Sequence, residues 1–179
     1  MSLSAWTLAA LLHFAPPEQH DAAPWADPSH EAAQERYEAI ATAIVETCDN
    51  SPSPRSCAAL LVALAVGESG LAQDADVGPC YRRGGYRTRC DSGAAASVWQ
   101  AHAFGLDRDG EPITVARLFA SRSLAAWQAL RVARGSLQRC RHLPAEDRLA
   151  GLSGSCRPNA SSRARWRLWQ TVSAWEVAP

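Results

Sequence analysis

Hydrophobic residues run almost unbroken from Cys57 to Val66 (CAALLVALAV). No polar stripe at helical spacing interrupts them, and a helix that is apolar all round is a buried one. The run is too short to span a bilayer. It ends in Gly67-Glu68-Ser69-Gly70, so a carboxylate stands at the C-terminal end of a core helix. Ser53 with Pro54 makes a suitable start, since Pro is tolerated in a first turn. Gly70 can take the left-handed conformation that closes the helix.

Helical spacing recurs around this element. Ala33, Tyr37, Ile40, Ala41, Ile44 and Val45 share one face of a helix over 30–48, capped by Ser29, with Glu31, Glu35 and Glu38 opposite. Leu124, Trp127, Leu130, Ala133 and Leu137 stripe a helix over 122–141. Shorter helices are expected over 1–15, 98–105, 112–120 and 145–153. A last one starts at Asn159 and runs to about Trp175, with Arg163, Arg165 and Arg167 beside Trp166 and Trp169. The period fails over 71–98, where Gly78-Pro79, Gly84-Gly85 and Ser92-Gly93 signal turns. The pattern is therefore mainly α, with one irregular or β-containing excursion after Glu68. Residues 16–29 (PPEQHDAAPWADPS) read as a linker. This divides the chain into an N-terminal apolar helix with its linker, 1–29, and a domain over 30–179.

Composition adds the charge distribution. The 179 residues have a formal net charge of zero and contain no Lys. Residues 1–76 hold eleven Asp and Glu against Arg36 and Arg55, and residues 77–179 hold sixteen Arg against seven acids. The two halves can pair with each other, or the basic half can attract a polyanion. Six Cys occur (Cys48, Cys57, Cys80, Cys90, Cys140, Cys156). None lies in a C-x-x-C pair or at zinc-finger spacing, so neither a metal nor another cofactor is expected. Local disulfides Cys48–Cys57, Cys80–Cys90 and Cys140–Cys156 are the economical pairing for an oxidising compartment, with free buried thiols as the alternative. Residues 5–15 (AWTLAALLHFA) have the apolar character of a signal peptide but no preceding Arg or Lys. The segment is either an export signal or a helix docked on a neighbour.

The chemistry centres on Glu68. Burial costs a carboxylate its hydration, and the end of a helix presents partial negative charge. Both disfavour the anion, which suits a general acid; the alternative is a helix-end Glu turned to water. Asp74, Asp76 and Asp91 lie near it in sequence and can either hold a water or serve as turn residues. Ser69 reads as a residue that orients Glu68, since no His lies near it in sequence. Trp99 can stack on a sugar face or pack in the core. The loop Cys80–Cys90, with Tyr81 and Tyr86 among four Arg, is a solvated loop or an anion-binding patch.

Glu68-Ser69-Gly70 after a buried apolar helix resembles the E-S signature of the soluble lytic transglycosylase and goose-type lysozyme family. Ser92–Gln100 (SGAAASVWQ) resembles that family's second motif, with Ser97-Val98-Trp99-Gln100 at its end. Arg148–Gly154 (RLAGLSG) resembles its third. The resemblance covers about residues 30–175 and implies a lysozyme-like helical domain with Glu68 as catalytic acid/base. It also implies substrate-binding roles for Ser69, Ser97, Trp99 and Gln100, with Gln100 in the cleft beside Glu68. The implied substrate is the glycan strand of peptidoglycan, cut between N-acetylmuramic acid and N-acetylglucosamine. The implied setting is periplasmic, secreted or particle-associated, with a larger phage-like or secretion assembly as a further partner. Nucleic acid is not the expected partner, although a nucleic-acid-binding helical domain remains the reading of the Arg-rich half. Two positions depart from the family. Val98 stands where Gly or Leu is usual, and Gly151 stands at the third motif's Tyr, which contacts the catalytic Glu or the substrate. Three outcomes stay open: a transglycosylase, a hydrolytic lysozyme, and a catalytically inactive relative that binds peptidoglycan or builds a particle.

Overall fold

Every residue from Cys57 to Ala65 is buried in α3 (Pro54–Ser69), and the other long helices assemble on that rod. A computed structural model describes residues 1–20, 23, 26–78 and 93–177. Before α3 come α1 (Leu3–Phe14), a 3₁₀ turn (Pro17–His20) and α2 (His30–Cys48). After it come α4 (Gln73–Val77), the two-residue strands β1 (Ala95–Ala96) and β2 (Ala101–His102), α5 (Val115–Ala120) and α6 (Arg122–Arg139). A 3₁₀ segment (Ala145–Ser153) and α7 (Ala160–Ala174) complete the order. α1, α2, α6 and α7 all contact α3. The four Ala of its buried run, at 58, 59, 63 and 65, leave room for these neighbours to approach. The fold is mainly α with a small antiparallel pair after the core helix, β1 meeting β2 through Ala95–His102 and Ala96–Ala101.

Local chemistry sets the helix ends. The Ser29, Ser121 and Asn159 side chains accept from Ala32 N, Leu124 N and Ser162 N, the N-cap geometry that satisfies an otherwise orphaned amide. Pro54 opens α3 without a side-chain cap, and Gly70 closes it at φ 60°. Disulfides Cys48–Cys57 and Cys140–Cys156 staple α2 to α3 and the end of α6 to the chain before α7. The Cys80–Cys90 pairing, with Tyr81, Tyr86, Asp91 and Ser92, lies outside the described residues.

The apolar N-terminal segment docks. Trp6, Ala10 and Leu11 of α1 are buried against α2 and α3. Tyr37, itself fully buried, donates its hydroxyl to Ala15 O at 2.6 Å. The C-terminal end closes over the same region. Trp175 stacks on His13 at 5.0 Å and meets Trp6 at 6.2 Å between ring centroids. Arg55 lies over the Trp6 ring and donates to Trp175 O. No helix among the described residues is long and apolar enough to cross a membrane.

Two expected helices take another form. Over 98–105 the chain makes a turn and then β2, because Ser97 and Gln100 adopt positive φ (64° and 47°) and the Trp99 indole is drawn to Leu61 O of α3 at 2.9 Å. Over 145–153 the helix is 3₁₀ rather than α. There the backbone carbonyls are taken by α6 side chains, Ser136 Oγ donating to Arg148 O and Arg139 Nη2 to Gly151 O.

The two charge-biased halves pair in places. Asp76, fully buried at its side chain, takes a two-pronged bond from Arg122, and Glu68 pairs with Arg165.

Two stability measurements follow from this packing. Leu11→Ala is expected to lower the urea-derived stability by about 2–5 kcal/mol, the range for emptying a fully buried Leu site; a change under 0.5 kcal/mol would show α1 to be dispensable to the core. Burial pushes the Tyr37 hydroxyl from its ordinary value of 10.0 up to about 12. The folded state therefore keeps this proton while the unfolded chain releases it. The contribution is full below pH 10 and is lost as the pH rises towards 12. Tyr37→Phe should be less stable than wild type at pH 8, and the gap should narrow by pH 11.5 in paired denaturation curves.

Candidate functional site

The C-terminal end of α3 opens into a groove of about 750 Å³. Glu68 lines it with Trp99 and Gln100 from the β1–β2 turn, Gly151 and Gly154 from the 3₁₀ segment and its end, and Arg165 from α7. Four stretches far apart in sequence thus meet at one carboxylate. A volume in this range is typical of a small-ligand or oligosaccharide subsite.

The position of Glu68 follows from its helix. From Cys57 to Ala65 α3 is buried on all sides, so after its first turn its side chains reach solvent again only in the last one. Glu68 is one-fifth exposed (21%). Gly70 and then Leu71 turn left-handed, both at φ 60°, and the chain leaves at once. Gln19 Nε2 and His20 Nε2 both reach Gly70 O at 2.8 Å, so the 3₁₀ turn after α1 holds the exit of the helix. Ser69 is buried and does not line the groove. Its hydroxyl donates to Ala65 O and accepts from Leu71 N, which fixes the turn that presents Glu68.

The β1–β2 turn supplies the second wall. Ser97 is buried; its carbonyl accepts from both the backbone N and the side-chain Nε2 of Gln100, each at 3.0 Å. Non-glycine residues rarely adopt positive φ, and two of them in one four-residue turn mark a backbone held in place by its surroundings. Trp99 is 4% exposed and tied to α3, so it acts first as a core residue and offers the groove only part of its surface. Of the residues singled out from sequence, Glu68, Trp99 and Gln100 meet in the groove, while Ser69 and Ser97 shape the backbone behind it.

The third wall explains Gly151. A Cβ built there would lie 2.6 Å from Ser136 Oγ and 2.8 Å from Arg139 Nη2. The 3₁₀ segment lies flat on α6, and Ser136 and Arg139 occupy the space into which a side chain at 151 would point. A side chain at 151 would require Ser136 or Arg139 to shift.

Arg165 is the residue that sequence reading did not connect to the site. Its Nε donates to Glu68 Oε1. Its side chain is 19% exposed, and its Nη1 is buried with no hydrogen-bond partner. The helix-end carboxylate expected from sequence is thus paired with a cation from α7. Arg139, His102 and Phe104 also line the groove. Phe104 is 52% exposed and is held by Arg131, which donates to Phe104 O at 2.8 Å and lies 5.3 Å over its ring. No local signal marks these residues, since their relation to Glu68 exists only after folding.

Among the described residues lining the groove, Glu68 is the one carboxylate. Asp74 and Asp76 are buried elsewhere, Asp76 being committed to Arg122. No group of three or more potential metal ligands occurs among the described residues. Comparison with family models, curated proteins and solved structures gives no match.

The packing at Gly151 is directly testable. Gly151→Ala should destabilise by about 1–3 kcal/mol through overpacking. Ser136→Ala combined with it should cost less than the sum of the two single changes, because the nearest clashing atom is gone. Strict additivity in denaturation midpoints would show that the contact is not tight.

Proposed function

We propose that the protein is a peptidoglycan lytic transglycosylase with a lysozyme-like helical domain, acting through Glu68. The observation that carries this reading is the convergence of Glu68, Gln100 and the Gly151–Gly154 stretch on one groove. These are the three places where the sequence resembles the transglycosylase motifs. With Glu68 the one carboxylate among the described residues lining the groove, transglycosylation is favoured over a mechanism that needs two, in which the carboxyl groups stand about 5–10 Å apart.

In this mechanism protonated Glu68 gives its proton to the glycosidic oxygen as the bond to C1 of the N-acetylmuramoyl sugar breaks. The acetamido oxygen of the same sugar stabilises the cation at C1. Glu68, now an anion, removes the proton from the 6-hydroxyl, and O6 bonds to C1. The products are a 1,6-anhydro sugar and a strand with a free 4-hydroxyl. Gln100, on a turn fixed by Ser97, positions the strand across the groove. The proton and Arg165 compete for the same carboxylate, so Arg165 must move off Glu68 before the acid step.

That same pair favours a second reading. With Arg165 left on Glu68 and no side chain at 151, the groove is that of a glycan-binding relative that does not turn over, a component of a particle or secretion assembly. Two disulfides among the described residues suit a periplasmic, secreted or particle-associated setting for either reading.

Digestion of purified peptidoglycan by wild type and Glu68→Gln, with products identified by mass spectrometry, separates the readings. Anhydro-muropeptides are expected from the wild type, with release reduced by about 10²–10⁴-fold in Glu68→Gln, the usual worth of a general acid. Products with reducing ends would make it a hydrolase. Binding to sacculi without any product would establish the second reading.

A further inference from the structure

We infer that the groove selects a saccharide bearing a free carboxylate on the cleaved sugar itself, and that Arg165 exchanges Glu68 for this substrate carboxylate. The inference rests on the glycan-binding groove proposed above, and it names the form of glycan that the groove takes.

The charges in the groove are unbalanced towards cations. Its described lining holds one carboxylate, Glu68, against Arg139 and Arg165. Arg139 spends one donor on Gly151 O at 3.1 Å and has no acidic partner among the described residues. Arg165 is held differently from three of the protein's other paired arginines, and Arg117, which also reaches its carboxylate on Asp107 through one nitrogen, spends its Nη1 on Pro112 O. Arg36 on Asp27, Arg122 on Asp76 and Arg163 on Asp147 each make a two-pronged bond to their carboxylate. Arg165 gives Glu68 its Nε alone, and its Nη1 is buried without a partner. Arg36 also leaves Nη1 unpartnered, but away from the groove and with its fork complete.

A guanidinium with an incomplete fork gains most from an anion that can accept two parallel bonds. A buried donor without a partner is costly, and moving to such an anion relieves it. The exchange conserves charge pairing: one carboxylate replaces another at Arg165, and Glu68 is freed of the guanidinium to face the glycosidic oxygen. Recognition and activation become one event.

The chemistry of wall glycan supplies such an anion in one form. The lactyl group on O3 of the muramoyl sugar ends in a carboxylate when the strand carries no stem peptide. When the peptide is attached, that carboxyl is an uncharged amide and the remaining carboxylates lie further out. The groove is therefore matched to peptide-free strands. An amide-forming or amide-cleaving step on the same strand then decides whether it is a substrate.

The test compares three probes: intact sacculi, sacculi stripped of stem peptides by an amidase, and chitohexaose, which has the N-acetylated backbone without the lactyl group. Cleavage and equilibrium binding of soluble fragments are both measured, with wild type, Arg165→Gln, Arg165→Lys and Glu68→Gln. The wild type should bind or cleave stripped strands at least ten times better than intact strands or chitohexaose, and added salt should shrink the ratio. Arg165→Gln should bring the ratio close to one, and Arg165→Lys should keep part of it, which separates loss of charge from loss of fold. Glu68→Gln should bind stripped fragments more tightly than wild type, since Arg165 no longer has an internal partner; a purely structural role for Arg165 would not produce this. Equal handling of intact and stripped strands would overturn the inference while Glu68-dependent cleavage still stood. A preference that survives in Arg165→Gln would also overturn it. Failure to bind or cleave any of the three probes would overturn both this inference and the glycan reading beneath it.

Discussion

Burial of α3 on every side is the constraint from which the rest of the structure follows. A helix that is apolar all round has no face to give to water, so it recruits neighbours around its whole circumference. Here α1, α2, α6 and α7 close that circle. Each has an apolar stripe of its own, and each also carries polar residues that end up wherever the circle opens. It opens at the C-terminal end of the rod, where Gly67 and Gly70 thin the chain and Glu68 pairs with Arg165. The groove is thus a consequence of where the core helix stops.

The same logic separates what was legible in the sequence from what was not. Period and caps are local properties, and they fixed α2, α3, α6 and α7 to within a residue or two at most ends. The residues that departed from expectation are governed by partners far along the chain. Trp99 belongs to an apolar run that reads as helix, but its indole is held by Leu61 O, 38 residues away, and the backbone turns to allow it. The stretch 145–153 has helical composition, yet Ser136 and Arg139 take up its carbonyls and leave a tighter winding. Glu68, Trp99 and Gln100 were legible as site candidates because the stretches that hold them resemble known motifs. Arg165 was not: 97 residues separate it from Glu68, and within α7 it is one of three similar arginines.

Gly151 shows how a missing side chain can be the result of packing. Judged against the family pattern, its lack of a Tyr reads as a lost catalytic contact. Judged against its neighbours, it is the residue that lets the 3₁₀ segment lie on α6, with Ser136 Oγ and the Arg139 guanidinium filling the space above it. The consequence is chemical as well as steric. The Glu68 carboxylate is met by one guanidinium, that of Arg165, while Arg139 lines the same groove and bonds Gly151 O.

A cation on Glu68 changes what the groove can recognise. A neutral hydroxyl at that place would leave a ligand's own charges unread. A guanidinium favours the anion, and it discriminates strongly between a ligand that brings a carboxylate and one that does not, because a buried charge left without a partner is penalised far more than a neutral group. The single-pronged hold of Arg165 on Glu68 keeps that exchange within reach, since a complete fork of the kind that locks Asp76 to Arg122 would have made the pair a structural one.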